Sequence, residues 1–445
     1  QEGEPDRADR ELKLAIALSA EPDQRFYELN RLARDPRKLL DLDESTLRRY
    51  APHAPPPLKV LRLRGDLARR RGHWDQAIAE YTSGVERFPG NSRIWIRRAR
   101  AYICNGEFDL ALADVAQALL IDPHCSFALA ARAELAVEQG NLDAALDDCH
   151  AALRSDPESV EAYVQLARLW RMQGHFEQSL SDADAALSLN PWCPEAYREL
   201  GYAWLALRDD QAARDAFRKC LDIQTADAEA HFGIAEAYRI LQRDELAIQH
   251  YHEALLARTD WAAALGGRGL VWLHAGDRAK ASADIEAALK IDADELRGLT
   301  GRGKLRMLHG DYADAIADLR RALEIKPDFG EAAESLAWIL AACPNAELRD
   351  GPQAVTLAKI AVQNRSTCNR LQALAAAYAE VGDFAAAEDA EKQALEFAPP
   401  FARKEFDDRL ALFASHQPVR LEVREPEGTE TVPVPEAPPD APFEP

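Results

Sequence analysis

The stretch SRIWIRRARAYICNGEFDLALADVAQALLIDPHC, residues 92–125, is 34 residues long and holds one complete unit of structure. Its first dozen residues carry Trp95, Ala99 and Tyr102 at helical spacing, so they form an amphipathic helix. Gly106 ends that helix, because the residue after a helix often takes a left-handed conformation that glycine adopts most cheaply. A second helix follows, in which Ala111, Val115, Ala118 and Leu119 share one face. Asp122-Pro123 stops it, since proline cannot continue a helix and restricts the residue before it. Alanines on the inner face let the two helices approach closely.

The same layout extends in both directions at period 34, giving eight tandem units over residues 58–329 with no insertion or deletion. Counting places within a unit from residue 58, glycine holds the fifteenth place at Gly72, Gly106, Gly140, Gly174, Gly276 and Gly310. A bulky residue follows two places on, as in Trp74, Phe108, Phe176 and Tyr312, and alanine recurs at Ala77, Ala111, Ala145, Ala213, Ala247, Ala281 and Ala315. Proline closes units at Pro89, Pro123, Pro157, Pro191 and Pro327. A self-similar period of this length marks a solenoid, which grows linearly instead of dividing into compact domains.

This pattern resembles the tetratricopeptide repeat family over residues 58–329 and, more loosely, to about 401. The resemblance implies an all-α, right-handed solenoid of about ten helix pairs. Residues 330–367 read as a ninth unit lengthened by four residues within Cys343–Gly351, and 368–401 as a tenth carrying Tyr378, Gly382, Phe384 and Ala387. Phe406, Leu410 and Phe413 give a capping helix within 402–417, and residues 1–57 an irregular helical N-terminal cap. Leu336–Leu340, Cys343-Pro344, Arg349-Asp350-Gly351 and Leu374–Glu380 resemble the C-terminal module of bacterial tetratricopeptide proteins of planctomycete type, which implies a bacterial source and no activity.

Composition restricts function. A formal charge of −21 argues against general nucleic-acid binding, whose footprint is basic. No stretch approaches the roughly 18 apolar residues of a membrane span. Residues 418–445 hold eight prolines, seven acidic residues and two arginines, a composition that predicts a disordered acidic tail. A start at Gln1 suits an exported, periplasmic protein if that residue is a processed terminus, and a cytoplasmic protein with a trimmed start otherwise. The seven cysteines are odd in number and poorly placed for bridges, so no structural disulfide is expected. His124-Cys125, Cys149-His150 and the pair His250 and His252 lack zinc-ligand spacing. No Gly-rich phosphate loop or nucleophile elbow appears, so neither enzyme activity nor a cofactor or metal is expected.

The expected partner is a protein or peptide. In the family that the repeats resemble, places 2, 5, 6, 9, 12 and 13 of the first helix line a concave groove. Carried over, these places give Lys59, Arg62, Arg69 and Arg70 in the first unit and Arg93, Arg97 and Arg100 in the second. Residues 58–102 hold eleven Lys and Arg against four Asp and Glu, which makes a basic entrance suited to an acidic ligand. Asp66 stands where the family's carboxylate clamp has asparagine. The acidic tail is one candidate occupant of that groove. Further on, the sixth place becomes glycine at Gly233, Gly267 and Gly301, either a smooth groove floor or a site of tight helix packing. Phe232, Trp261 and Trp338 are candidate aromatic anchors. The reading is a peptide-binding interaction scaffold, and its alternative is an assembly or envelope component that packs through its edges or convex face.

Overall fold

A computed structural model describes residues 58–70, 72–398 and 403–421, with Lys59, Val60 and Arg70 described by backbone alone. The expected N-terminal cap at 1–57 lies outside the described residues, as does the tail beyond Leu421. Every regular element described is helical, and no strand occurs among the described residues. The chain forms two units, one ending at Thr259 and one beginning at Asp260.

Among the described residues, the first unit contains six antiparallel helix pairs: α1 Leu58–Arg70 with α2 Trp74–Arg87, α3 Ser92–Cys104 with α4 Phe108–Ile121, α5 Ser126–Glu138 with α6 Leu142–Ser155, α7 Val160–Met172 with α8 Phe176–Leu189, α9 Pro194–Ala206 with α10 Asp210–Ile223, and α11 Ala228–Ile240 with α12 Asp244–Ala257. The turn inside each pair needs a residue with positive φ. Glycine supplies it at Gly72, Gly106, Gly140 and Gly174, whereas Arg208 at φ 67° and Gln242 at φ 54° adopt it in the fifth and sixth pairs. The turn geometry therefore persists where its usual residue is missing, at a cost of about 1 kcal/mol for each side chain forced into this region.

The second unit holds α13 Ala262–His274 with α14 Arg278–Ile291, α15 Leu296–His309 with α16 Tyr312–Ile325, α17 Gly330–Ala342 with α18 Gly351–Asn364, α19 Cys368–Glu380 with α20 Phe384–Glu396, and a closing helix α21 Arg403–Ala414. The longer connection after α17 contains a single 3₁₀ turn, Ala346–Leu348. Arg349 ties this loop down, donating from Nη1 to the carbonyls of Cys343 at 2.8 Å and Pro344 at 3.2 Å, and from Nε to Glu380 at 2.9 Å.

Inside the pairs, volume is matched between successive repeats. Phe217 on α10 is fully buried, and its ring lies against Gly201 of α9 and Gly233 of α11. A Cβ at Gly233 would meet the ring at 2.2 Å, and one at Gly201 at 2.6 Å. Ile285 on α14 is lodged in the same way between Gly269 and Gly301. A second device joins the two helices of a pair. Arg98, Arg132, Arg268 and Arg302 each make a two-pronged contact with the aspartate sixteen residues on, Asp114, Asp148, Asp284 and Asp318, at 2.6–2.9 Å. These forks hold the first helix to the second at the same point of each repeat.

Candidate functional site

The inner face of the first unit is built from its first helices, and ion pairs cross it from helix to helix. On α1, Asp66 accepts a hydrogen bond from the Tyr81 hydroxyl at 2.7 Å and a charged one from Arg97 of α3. Arg100 lies 3.4 Å from Glu161 of α7, two repeats on. The ladder continues with Arg168 and Glu138 at 2.6 Å, Arg171 and Glu199 at 2.7 Å, and Arg198 with Asp227 at 3.3 Å and Glu229 at 3.4 Å. Burial alone would raise the Glu195 carboxyl, yet Arg198, Arg69, its own backbone N–H and Arg100 outweigh that effect and hold it down at about 2. Arginines from the first, second and fifth repeats thus act on one carboxylate.

The basic entrance read from sequence is therefore internally compensated. Arg97 and Arg100 are already paired with Asp66 and Glu161, and Arg93 rests over the Phe127 ring with its guanidinium carbon 5.6 Å from the ring centre. Arg62 is half-buried; burial and then the charges of Arg97 and Arg93 work against its ionised form, with Asp66 opposing them. Burial works against the ionised form of Arg69, and the charges of Tyr81, Glu195 and Asp66 outweigh it and hold the guanidinium charged. The side chains of Lys59 and Arg70 lie outside the described residues. Gly233 and Gly301 are turned into the helix packing against Phe217 and Ile285, and Gly267 is buried on α13.

The second unit presents a different inner face. Successive first helices α13, α15, α17 and α19 line a pocket of about 290 Å³. Leu270, Leu273, Met307, Leu308 and Trp338 make its apolar surface, and Lys304, Glu334, Asn369 and Gln372 its polar points. Glu334 is paired with Arg370 at 3.4 Å. Lys304 makes no ion pair among the described residues. An apolar cavity of this size with a few convergent polar groups is the usual form of a binding site.

Family models described as tetratricopeptide repeat match residues 62–124, 171–228 and 300–348, and a second one 136–181. The chain carries tetratricopeptide repeats. Among solved structures, the APC/C hetero-tetramer Cut9–Hcn1 superposes with a TM-score of 0.60 at 18% identity, covering 74% of this chain and 66% of that one. The chain thus spans just under two thirds of that protein, and the likeness concerns the tetratricopeptide fold. PilF of Pseudomonas aeruginosa (TM-score 0.39, 19% identity, 48% of this chain and 97% of that one) and a tetratricopeptide repeat protein from Parabacteroides merdae (0.40, 20%, 55% and 96%) match shorter stretches. No curated protein matches the chain. The tetratricopeptide solenoid is a fold consistent with a scaffold for protein partners, and no described helix is long and apolar enough to cross a membrane.

Sequence reasoning missed two groupings. His231 and His250 stand with their Nδ1 atoms 3.1 Å apart, bridging α11 and α12, and Tyr238 stacks on His250. Attention to His250 and His252 had hidden this pair, which lies nineteen residues apart and on two helices. The forks from place 7 to place 23 were missed because their partners are distant in sequence; the recurrence of Arg98, Arg132, Arg268 and Arg302 at period 34 was the available signal. No group of three or more His, Cys, Asp or Glu suited to a metal occurs among the described residues.

Proposed function

We propose that the protein is a non-catalytic interaction scaffold that holds a segment of another polypeptide against its first helices. An apolar or aromatic anchor enters the pocket at Trp338, and an acidic group is met by Lys304. The pocket carries this reading, because it combines an apolar cavity with a cation that has no ion-pair partner among the described residues. In the first unit, an acidic ligand would have to displace Asp66 and Glu161 from Arg97 and Arg100, so acidic recognition there proceeds by exchange of ion pairs. A bacterial source, to which the sequence of the C-terminal module points, belongs to the same reading.

Selection of a displayed random-peptide library on the full chain tests it. Segments with an aromatic or aliphatic anchor next to acidic residues should be enriched, and Trp338→Ala should weaken them at least tenfold. Enrichment indifferent to Trp338→Ala refutes the proposal.

One observation favours the alternative of an assembly component. On α4, Leu120 is exposed at 77%, with Leu110 at 48% and Leu112 at 40% elsewhere around the helix, and a protruding leucine is available to a contact between proteins. Leu120→Glu would abolish self-association measured by sedimentation under that reading and leave peptide binding intact under the first.

A further inference from the structure

After α21 the chain does not leave the fold. Ser415–Gln417 reverse it, with His416 at φ 57° and its ring stacked on Phe384 at 5.0 Å. The next four residues, the opening of the acidic tail, lie along the second unit as a strap. Val419 packs into the apolar cluster of Ala375, Ala379 and Phe413. Arg420 reaches Glu380 at 2.7 Å and the Ala341 carbonyl at 3.2 Å. The backbone N–H of Leu421 donates to the Ala342 carbonyl at 2.8 Å. The strap thus satisfies carbonyls at the C-terminal end of α17, groups that an α-helix leaves without partners.

Trp338 stands on the same helix four residues before Ala342, about one turn or ~6 Å along the axis. The described chain therefore ends beside the pocket that Trp338 lines. Beyond Leu421 come 24 residues, Glu422–Pro445, with seven acidic side chains against the single Arg424, and with Val423, Val432, Val434 and Phe443 as apolar candidates. Extended chain covers about 3.3 Å per residue, so roughly ten residues span ~30 Å. Four helices packed ~8–10 Å apart present a face of similar length. The charges also correspond, since the pocket's Lys304 makes no ion pair among the described residues and the segment is acidic.

We propose that the segment following Leu421 occupies the Trp338 pocket of its own chain, so that the scaffold carries an internal ligand which an external partner must displace. The inference rests on the pocket being a peptide site. It places the tail on the second unit, because the strap delivers it there, and leaves the Arg97 and Arg100 face to other ligands. Seven prolines among the 24 residues reduce the freedom lost on docking.

Limited digestion of the full chain with a glutamate-specific protease, followed by mass spectrometry, tests this. Cleavage after Glu422, Glu427 and Glu430 should be slow in the wild type and at least tenfold faster in Lys304→Glu and in Trp338→Ala, with helical content unchanged. Lys304→Glu guards against a folding artefact, because its side chain is only partly buried. Equal cleavage rates in all three chains overturn the proposal. So does protection that fades on dilution, which would assign the segment to the pocket of a second copy. If tail cleavage is indifferent to both substitutions while library peptides still need Trp338, the pocket stands as a peptide site and only its internal ligand is lost.

Discussion

Gly233→Ala separates two meanings of the glycine run in the first helices. A groove floor would gain from the change, because alanine is about 1 kcal/mol more favourable than glycine inside a helix. The structure places the new methyl 2.2 Å from Cζ of Phe217, whose ring is fully buried and so close to Gly201 as well that a Cβ there would meet it at 2.6 Å. A fully buried ring that already rests on two glycines gives way at a cost, so overpacking should cost about 3 kcal/mol, the upper part of the usual range. The net expectation is a loss of about 2 kcal/mol. Phe217→Leu shortens the obstacle, so the double variant should recover most of what Gly233→Ala loses, a coupling of at least about 1 kcal/mol. Urea unfolding followed by circular dichroism gives the totals, and hydrogen exchange at amides of α9–α11 localises the effect, since repeat arrays can open in blocks. A Gly233→Ala protein as stable as the parent, with weakened peptide binding, would refute the packing assignment and restore the groove floor.

Three other outcomes are expected. Arg98→Met leaves Asp114, 4% exposed, without its two-pronged partner, and should cost about 3 kcal/mol in a denaturation midpoint, with partial recovery in the double variant with Asp114→Asn. Gln242→Gly relieves a side chain held at φ 54° and should raise stability by about 1 kcal/mol in the same assay. Burial, His231 and Arg218 push the His250 imidazole down from 6.5 to about 4, so it is neutral in the fold where the unfolded chain would ionise it. The resulting stability is full above pH 6.5 and lost as the pH falls toward 4, by about 1–2 kcal/mol after allowance for solvent access. The difference between wild type and His250→Phe over that window measures it, and parallel curves would show that His250 does not titrate as described.

The helices were legible because their signals are local. Glycine at the fifteenth place, apolar spacing on two faces and a closing proline are all contained in one unit, so period and pairing followed from residues 92–125 alone. Even Arg208 and Gln242, which break the glycine rule, could be placed by register with their neighbours. The site was less legible, for physical reasons that differ by residue. Arg97 and Arg100 announce positive charge, but the acids that compensate them, Asp66 and Glu161, come from other repeats and meet them only through curvature. Trp338 was marked as an anchor, whereas the Leu270, Met307 and Lys304 side chains that complete its pocket look ordinary one at a time. The glycines were noticed for their place in the first helix; their cause, a large residue on the preceding second helix, sits sixteen places upstream.

That last relation limits how such a chain can change. Where the second helix carries Ala183 or Cys149, the next first helix has Glu199 or Gln165 at the place that glycine takes opposite Phe217 and Ile285. The repeats that meet at Phe217 and Gly233, and at Ile285 and Gly301, are thus matched pairs, each shaped to the one beside it. A copy moved elsewhere in the array by duplication or by an engineer would arrive with the wrong complement on at least one side. The repeats look like interchangeable parts in sequence, but at these two junctions they fit only in the order in which they stand.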